Sequence, residues 1–531
     1  ATYLEAFRRA IAAADPWAVM CSYNRIGGAH ASQHHWLLTD VLRDEWGYRG
    51  LVVSDWDAVH DPVAAVAAGL DLEMPGTGGR SAAAIVAAVA GGRLDRAAVE
   101  RAATRVVEFV ERCLPDGPAS SPVRDAGIVP GERLRAGQLA ALGADAHHEL
   151  AREAAAAAAT LLRNPDGVLP LDPAGTQRIG VVGGYARLPR IQGGGSSGVW
   201  PVRVDEPLAA IREVAGDRVR FAPGYPVPAT DYYQDTAPAP EADLAALRAE
   251  AVALAGDCDV VVAFAGLPLS AEVEAADRDT LALPVEQVDL LVALAATGTP
   301  LVVVLAAGSA VDLAPWHDAA AAILLTWLGG QAVGGATADV LFGLAEPGGR
   351  LGETFPLRLA DTPGHDTFPG RDGRIEYAEG PLIGYRWYDA GGLGVRYPFG
   401  HGLSYTRFAY SDASVRPTQD GVEVEVTVTN VGQRPGSEVV QLYVEPPTGS
   451  PGRPLRELRG FGKVALAPSE SRTVAFALGR RDFGYPDPVN RGWTQPAGEY
   501  RVVLASSSRD DRAVLPVQLV DGWVPFGDVL R

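Results

Sequence analysis

The period of the hydrophobic pattern changes once along this chain, near Thr406, and that change limits its architecture more than any other feature. Before it, short apolar runs such as Leu51-Val52-Val53, Val260-Val261-Val262-Ala263-Phe264 and Leu301-Val302-Val303-Val304-Leu305 alternate with helical stretches. After it, Val422-Glu423-Val424-Glu425-Val426-Thr427-Val428-Thr429 alternates residue by residue. A strand that is apolar at every position is covered on both faces, as in a parallel sheet flanked by helices. Strict alternation marks a strand with one wet face. The expected fold is therefore an α/β multidomain arrangement followed by a β-sandwich. A chain of 531 residues is also too long for one core.

The α/β part divides in two. Residues 1–114 alternate helix and strand, with strands at Ala18–Tyr23, Leu51–Ser54 and Leu70–Pro75 and helices at Leu4–Ala14, Trp36–Trp46, Pro62–Ala68 and Ala82–Cys113, the last broken near Gly91-Gly92. Three such strands are a partial (β/α) barrel remnant, too few to close a (β/α)8 barrel, and each ends on bulky or polar groups, as the C-terminal rim of a barrel does. Residues 115–160 read as a Pro/Gly/Ser-rich linker and a connecting helix, roughly Leu139 to Leu162. Residues 161–370 read as a doubly wound α/β sandwich with strands at Ile179–Val182, Val260–Phe264, Leu301–Leu305 and Ala322–Leu325. Residues 371–404 form a connecting segment, and residues 405–531 read as a β-sandwich of immunoglobulin or fibronectin type. The turn at Gly183-Gly184 has no GxGxxG after it, which argues against dinucleotide binding.

Net charge is −19 without a basic cluster, so nucleic acid and anionic membranes are poor partners and a neutral or small polar ligand is a good one. No run approaches the length of a membrane span. Cys21, Cys113 and Cys258 are few and far apart and read as reduced core residues, which fits a cytoplasmic protein. No metal-ligand spacing occurs, so neither a metal nor another cofactor is expected. His34-His35 and His147-His148 read as surface or packing residues.

The stretch GLVVSDWDAV (50–59) raises the question of function. A strand fit for burial ends on two carboxylates around an indole, which is a turn or a site. Its wider context decides. VMCSYN (19–24), WLLTDVLRDE (36–45), GLVVSDW (50–56), LLRNPDGVLPL (161–171), QGGGSS (192–197), EVEAADR (272–278), GSAVDLAPW (308–316), WLGGQ (327–331), GRLGETFP (349–356) and YPFGHGLSYTRF (397–408) occur in this order. Together they resemble glycoside hydrolase family 3, the β-glucosidase group, over essentially the whole chain. The family's order of barrel, α/β sandwich and fibronectin-like domain agrees with the order read from periodicity.

The resemblance implies site residues. Asp55 aligns with the catalytic nucleophile, and Tyr23 would hydrogen-bond it or the sugar. Trp56 would wall the sugar pocket with Met20 nearby, and Ser196 or Ser197 would reach over the sugar. Glu274 takes the acid/base position, with Glu272 as the fallback. Retaining hydrolysis needs an ionised carboxylate that attacks the anomeric carbon and a protonated one that donates to the leaving oxygen, about 5–5.5 Å apart. Asp57 fits a turn or cap, and Asp277-Arg278 an ion pair that fixes the loop.

Departures also matter. Ala275 stands where relatives usually have Gly, and Ala271 where an aromatic often precedes the acidic pair; both could stiffen or re-aim the loop. The barrel's first strands and their sugar-gripping Asp, Arg and Lys-His have no counterpart here. The expectation is a fragment or a chain completed by a partner, with little activity alone. The expected reaction is release of a terminal β-D-glucosyl residue from a β-glucoside or oligosaccharide through a glycosyl-Asp55 intermediate. The rivals are a β-xylosidase of the same family and a non-catalytic carbohydrate-binding protein. A homo-oligomer is compatible with everything above.

Overall fold

The computed structural model describes residues 3–114, 142–227, 241–450 and 452–526. The linker expected from Pro115 to Gly131 lies outside them, as does the expected start of the connecting helix at Leu139. The chain divides into two compact units, residues 1–125 with 484–495 and 521–531, and residues 126–483 with 496–520.

In the first unit α1 (Glu5–Ala14) leads to β1 (Ala18–Cys21), a short hairpin β2–β3 (Arg25–Ile26, Ala29–His30) and a wide helix over Trp36–Glu45. That helix ends with Trp46 N–H donating five residues back to Val41 O. β4 (Leu51–Ser54) pairs parallel with β1, Ala18 opposite Leu51 and Cys21 opposite Ser54. Ile11, Leu38, Val41, Leu42, Trp46 and Val52 pack beneath it. Helices α2 (Pro62–Ala68), α3 (Arg80–Ala90) and α4 (Arg96–Cys113) follow, with the expected break between the last two. Asp61 caps α2 by accepting from Val63 N and Ala64 N.

The strand expected over Leu70–Pro75 is reduced to a bridge between Leu72 and Val53. The cause is Asp71. Its carboxylate is fully buried and takes Arg43 Nη2 at 2.7 Å, Arg105 Nη1 at 2.9 Å and Val52 N at 2.9 Å. The chain is drawn inward there instead of running on as a ladder.

The first described helix of the second unit is α5 (Ala144–Ala158); it stops short of the end expected for the Leu139–Leu162 helix because Thr160–Arg163 is β5, an edge strand antiparallel to β10 (Ala322–Leu325). Leu161 and Leu162 are buried in the sheet core, a demand that outweighs helix continuation. The remaining strands β6 (Ile179–Val182), β7 (Val219–Ala222), β8 (Val260–Gly266), β9 (Leu301–Ala306) and β10 (Ala322–Leu325) are parallel, in the order β5-β10-β9-β8-β6-β7. β8, β9 and β10 are buried at every position, as their unbroken apolar runs require. Helices α6 (Pro207–Ala215), α7 (Leu244–Gly256), α8 (Val285–Ala295) and α9 (Val333–Leu341) cover the sheet. His148 on α5 is a packing residue, bound to Asp205 and Gln331.

Strands β11 (Phe355–Pro356) and β12 (Val395–Tyr397) form a two-stranded connector. The β-sandwich stacks β13 (Phe408–Pro417), β14 (Gly421–Asn430) and β17 (Ser471–Gly479) on β15 (Gly436–Glu445), β16 (Glu457–Leu466), β20 (Gly498–Ser507) and β21 (Asp510–Leu519). Val422, Val424, Val426 and Val428 all point into its core, as the alternation requires. A small sheet of β18 (Tyr485–Asp487), β19 (Gly492–Gln495) and β22 (Gly522–Pro525) belongs to the first unit. The sandwich is tied to the α/β sheet by polar side chains: Glu346 accepts Ser437 N at 2.7 Å, Lys463 Nζ donates to Gly348 O at 2.9 Å, and Arg350 pairs with Glu438 at 3.5 Å.

Cys21 and Cys258 are buried, but Cys113 is exposed at the end of α4, so the core reading fails for that residue. Among the described residues no helix is long and apolar enough to cross a membrane.

Candidate active site

Each unit carries part of the set expected from the sequence. In the first unit the C-terminal ends of β1 and β4 lie side by side, and Asp55 N donates to Cys21 O at 3.2 Å. The register therefore brings the residues just after the two strands together. Tyr23 OH donates to Asp55 Oδ1 at 2.7 Å, and Trp56 N donates to the same oxygen at 2.7 Å. Among the described residues Asp55 Oδ2 accepts no hydrogen bond, so one carboxylate oxygen is held and the other is open. Met20, Tyr23 and Trp56 are about half exposed around this end, at 54%, 47% and 52%. Apolar area so left in water suits the C–H face of a sugar ring.

The strand end is fixed from below. Ser54, fully buried, accepts Met74 N with its hydroxyl at 2.8 Å, and Asp57 N donates to Met74 O at 3.0 Å. Asp57 has φ 63°; its side chain is exposed, and its backbone makes the turn. Asp71, with its two arginines, clamps the N–H of Val52 three residues before Asp55. Sequence reasoning missed Asp71. Its only signal was a carboxylate between Leu70 and Leu72 in an apolar stretch.

In the second unit the loop after β8 carries Glu272 and Glu274, and it meets the Gly-rich loop 193–197 and the segment after β9. These three segments line a cleft of about 590 Å³ that includes Ser196, Ser197, Glu272, Glu274, Arg278 and Gly308. Glu274 Oε2 accepts the backbone N–H of Ser196 at 2.9 Å. This contact needs glycine at 195, where φ is 80° and a Cβ would stand 2.5 Å from Glu274 Cβ. Ser196 thus contributes its amide to Glu274. Ser197 Oγ turns back to Gly194 O at 3.2 Å.

Glu272 is in a different state. Its Oε1 accepts Gly308 N at 2.5 Å, while its Oε2 is buried with no hydrogen-bond partner. Burial pushes this carboxyl above the ordinary glutamate range, partly offset by the Gly308 N–H and by Arg190 and Arg278. Arg278 does not make the expected ion pair with Asp277. Its Nη2 donates to Ser309 Oγ at 2.8 Å and Ala310 O at 3.0 Å. The arginine therefore fixes the loop through neutral acceptors. Ala275 has φ 65°, a left-handed conformation that costs a residue with a Cβ roughly 1–2 kcal/mol.

A larger cleft, about 680 Å³, lies between residues 389–393 and the β-sandwich loops. Its arginines are already matched, Arg456 by Glu445 and Asp511 and Arg509 by Asp389. No group of three or more His, Cys, Asp or Glu able to hold a metal occurs among the described residues.

Comparison with known proteins adds identity to this geometry. Residues 1–109 match the family model described as the glycosyl hydrolase family 3 N terminal domain, and residues 159–405 the model of its C-terminal domain. Residues 438–508 match a fibronectin type III-like domain. The chain is 41% identical to thermostable beta-glucosidase B of Acetivibrio thermocellus, over 96% of this chain and 64% of that protein. It is equally 41% identical to an exo-alpha-(1->6)-L-arabinopyranosidase of Bifidobacterium breve, over 99% of this chain and 67% of that one. The chain thus spans about two thirds of the length of these relatives. Among solved structures, a beta-glucosidase of Bifidobacterium adolescentis superposes with a TM-score of 0.85 at 41% identity, covering 98% of this chain and 72% of that one. Beta-glucosidase 3B of Thermotoga neapolitana, in complex with α-D-glucose, gives 0.84 at 29% identity, covering 98% and 73%.

Proposed function

The chain belongs to glycoside hydrolase family 3, and on that premise we propose that it supplies the two carboxyl groups of a retaining β-glycosidase acting on terminal β-D-glucosyl residues. Asp55 is the nucleophile. The observation that carries this reading is its divided carboxylate: Tyr23 OH and Trp56 N both bind Oδ1, at 2.7 Å each, and Oδ2 is left for the anomeric carbon. A nucleophile oriented by fixed donors needs little rearrangement on the way to the transition state.

Glu274 is the acid/base. It sits exposed on a loop tip, where the Ser196 amide binds its carboxylate, so a proton can pass to and from the leaving oxygen. Donation cleaves the glycosidic bond as Asp55 bonds to the sugar; Glu274 then deprotonates a water that releases the sugar. Trp56, Met20 and Tyr23 offer apolar surface to the ring, and Ser196 and Ser197 belong to the loop that brackets Glu274. The substrate is a β-glucoside or short oligosaccharide.

A second reading, in sugar rather than mechanism, is favoured by the equal identity to the arabinopyranosidase. An α-L-arabinopyranoside lacks the hydroxymethyl group on C5. So does a β-xyloside. Hydrolysis of 4-nitrophenyl β-D-glucoside, β-D-xyloside and α-L-arabinopyranoside by the full chain separates the three, with the highest kcat/KM expected for the glucoside. Proton spectra of the released sugar test the stereochemistry. The β-anomer appears first if the reading is right, and initial release of the α-anomer overturns it.

A further inference from the structure

Glu272 lies two residues from Glu274, yet it makes the costlier contacts of the pair. We propose that Glu272 is the positioning residue of the acid/base loop, joining the segment after β9 to the Gly-rich loop so that Glu274 is presented in one place. This proposal rests on the reading of Glu274 as the acid/base.

Three contacts carry it. The Glu272 carboxylate accepts the N–H of Gly308, the second residue after β9. Its backbone carbonyl accepts the N–H of Gly194 at 2.9 Å. Two residues further along that same Gly-rich loop, Ser196 N–H holds Glu274. The five residues are thus linked: Gly308 is tied to Glu272, and Glu272, Gly194, Ser196 and Glu274 close a circuit between the two loops. The contact with Gly308 is close enough that a Cβ there would stand 3.0 Å from Glu272 Oε1.

Between the two glutamates and beyond them the backbone makes a tight turn. Val273 bridges Ala276, and Ala275 is held at φ 65°. Glu274 occupies the tip of this turn, so its direction follows from where Glu272 pins the turn's base. The loop's ends are also fixed, by Leu267 N on Ala306 O at 3.1 Å and by Arg278 on Ser309 and Ala310.

Keeping a half-buried carboxylate with one unpartnered oxygen is unfavourable for folding, and a strained alanine is unfavourable too. Neither contributes to the core. Both are accounted for if the loop's geometry is what they maintain.

The test uses the full chain as wild type, Glu272→Gln, Glu272→Ala and Glu274→Ala. Two substrates differ in their need for acid, phenyl β-D-glucoside (poor leaving group) and 2,4-dinitrophenyl β-D-glucoside (good leaving group). The expected result for Glu272→Ala is a kcat/KM about tenfold lower or more on the phenyl glucoside and nearly unchanged on the dinitrophenyl glucoside. Glu272→Gln, which keeps an acceptor for Gly308, should lie between it and wild type. Glu274→Ala should show the same pattern more strongly, with sodium azide restoring its turnover, whereas azide should leave the Glu272 variants unaffected.

Equal losses on both substrates would make Glu272 merely structural and overturn the proposal while leaving Glu274 in its role. Azide rescue of Glu272→Ala in place of Glu274→Ala would reverse the two roles and overturn both readings. Amide exchange at Gly308 reads the contact without turnover. It should quicken about tenfold in Glu272→Ala, and unchanged exchange would sink the proposal.

Discussion

The strand end that carries Asp55 is fixed by buried charge and strand pairing, whereas the loop that carries Glu274 is fixed by backbone amides at the surface. Beneath Asp55, the buried Asp71 carboxylate gathers Arg43, Arg105 and the Val52 N–H. Around Glu274, Ser196 N–H, Gly308 N–H through Glu272, and the neutral acceptors of Arg278 do the holding. On the proposed reading, the difference follows the two jobs. A nucleophile must stay put while a bond forms on it, and a paired, desolvated network resists displacement. A residue that gives up and recovers a proton needs water and room at its carboxyl, which a loop allows.

The comparison can be broken first where the charge is deepest. Asp71→Ala strips a buried carboxylate from Arg43 and Arg105, whose side chains are only 8% and 23% exposed. Breaking such a network costs about 3–5 kcal/mol, which denaturant unfolding should report as an early transition in the first unit. A loss within about 0.5 kcal/mol, the level of an ordinary surface substitution, would show that the network does not hold the strand end.

Tyr23→Phe removes one donor from Asp55 and leaves the fold alone. Hydrogen bonds to charged groups are worth about 1.5–3 kcal/mol, so kcat/KM on an aryl glucoside should fall about 10- to 100-fold while the melting temperature holds. Gly195→Ala tests the loop side, because the new Cβ meets Glu274 in a backbone conformation that disfavours it. Its cost, about 1–3 kcal/mol, should appear as turnover lost on the phenyl glucoside more than on the dinitrophenyl one.

The smallest effect is a slope with pH. Glu438 at the junction with the β-sandwich is buried, and burial raises its carboxyl above the ordinary range, partly offset by Arg350 and Tyr410. The folded state therefore holds this proton more tightly than the unfolded chain. The stability so contributed is full below about pH 4.3, the ordinary glutamate value, and is lost as pH rises through the raised value. Glu438→Gln should flatten the fall in melting temperature over that window, and an unaltered slope would show that another group carries it. Glu346 and Glu353 are shifted the same way by burial.

The sequence was most legible where a pattern reports burial. The runs at Val260 and Leu301 became central parallel strands, and the Val422–Thr429 alternation became a one-sided strand. Both follow from which faces are covered, and periodicity records that. β5 was missed because Leu161 and Leu162 continue the alanine-rich helical run before them, and β7 because the exposed Arg220 interrupts its apolar run. Leu70–Pro75 has the composition of a strand, but Asp71 pulls it into pairing with residues 28 and 34 positions away in the chain. Long-range charge pairing of this kind is not written in local period. For the site, motif context placed Asp55 and Tyr23 together, and the structure supplied what a motif cannot. It shows which oxygen of Asp55 is held, that Ser196 acts through its amide, and that Glu272 spends its carboxylate on Gly308.

The central claim is that Asp55 forms the covalent bond to the sugar, and one measurement tests it most directly. A 2-deoxy-2-fluoro-β-D-glucoside with an activated leaving group slows release of the glycosyl-enzyme, so the adduct accumulates on the nucleophile. After incubation with the full chain, proteolysis and peptide mapping should place one added fluoroglucosyl group on the peptide containing Asp55, with fragmentation assigning it to that residue. An adduct on Asp57, Glu272, Glu274 or any other side chain, or hydrolysis of the glucoside with no adduct on Asp55, would contradict the account.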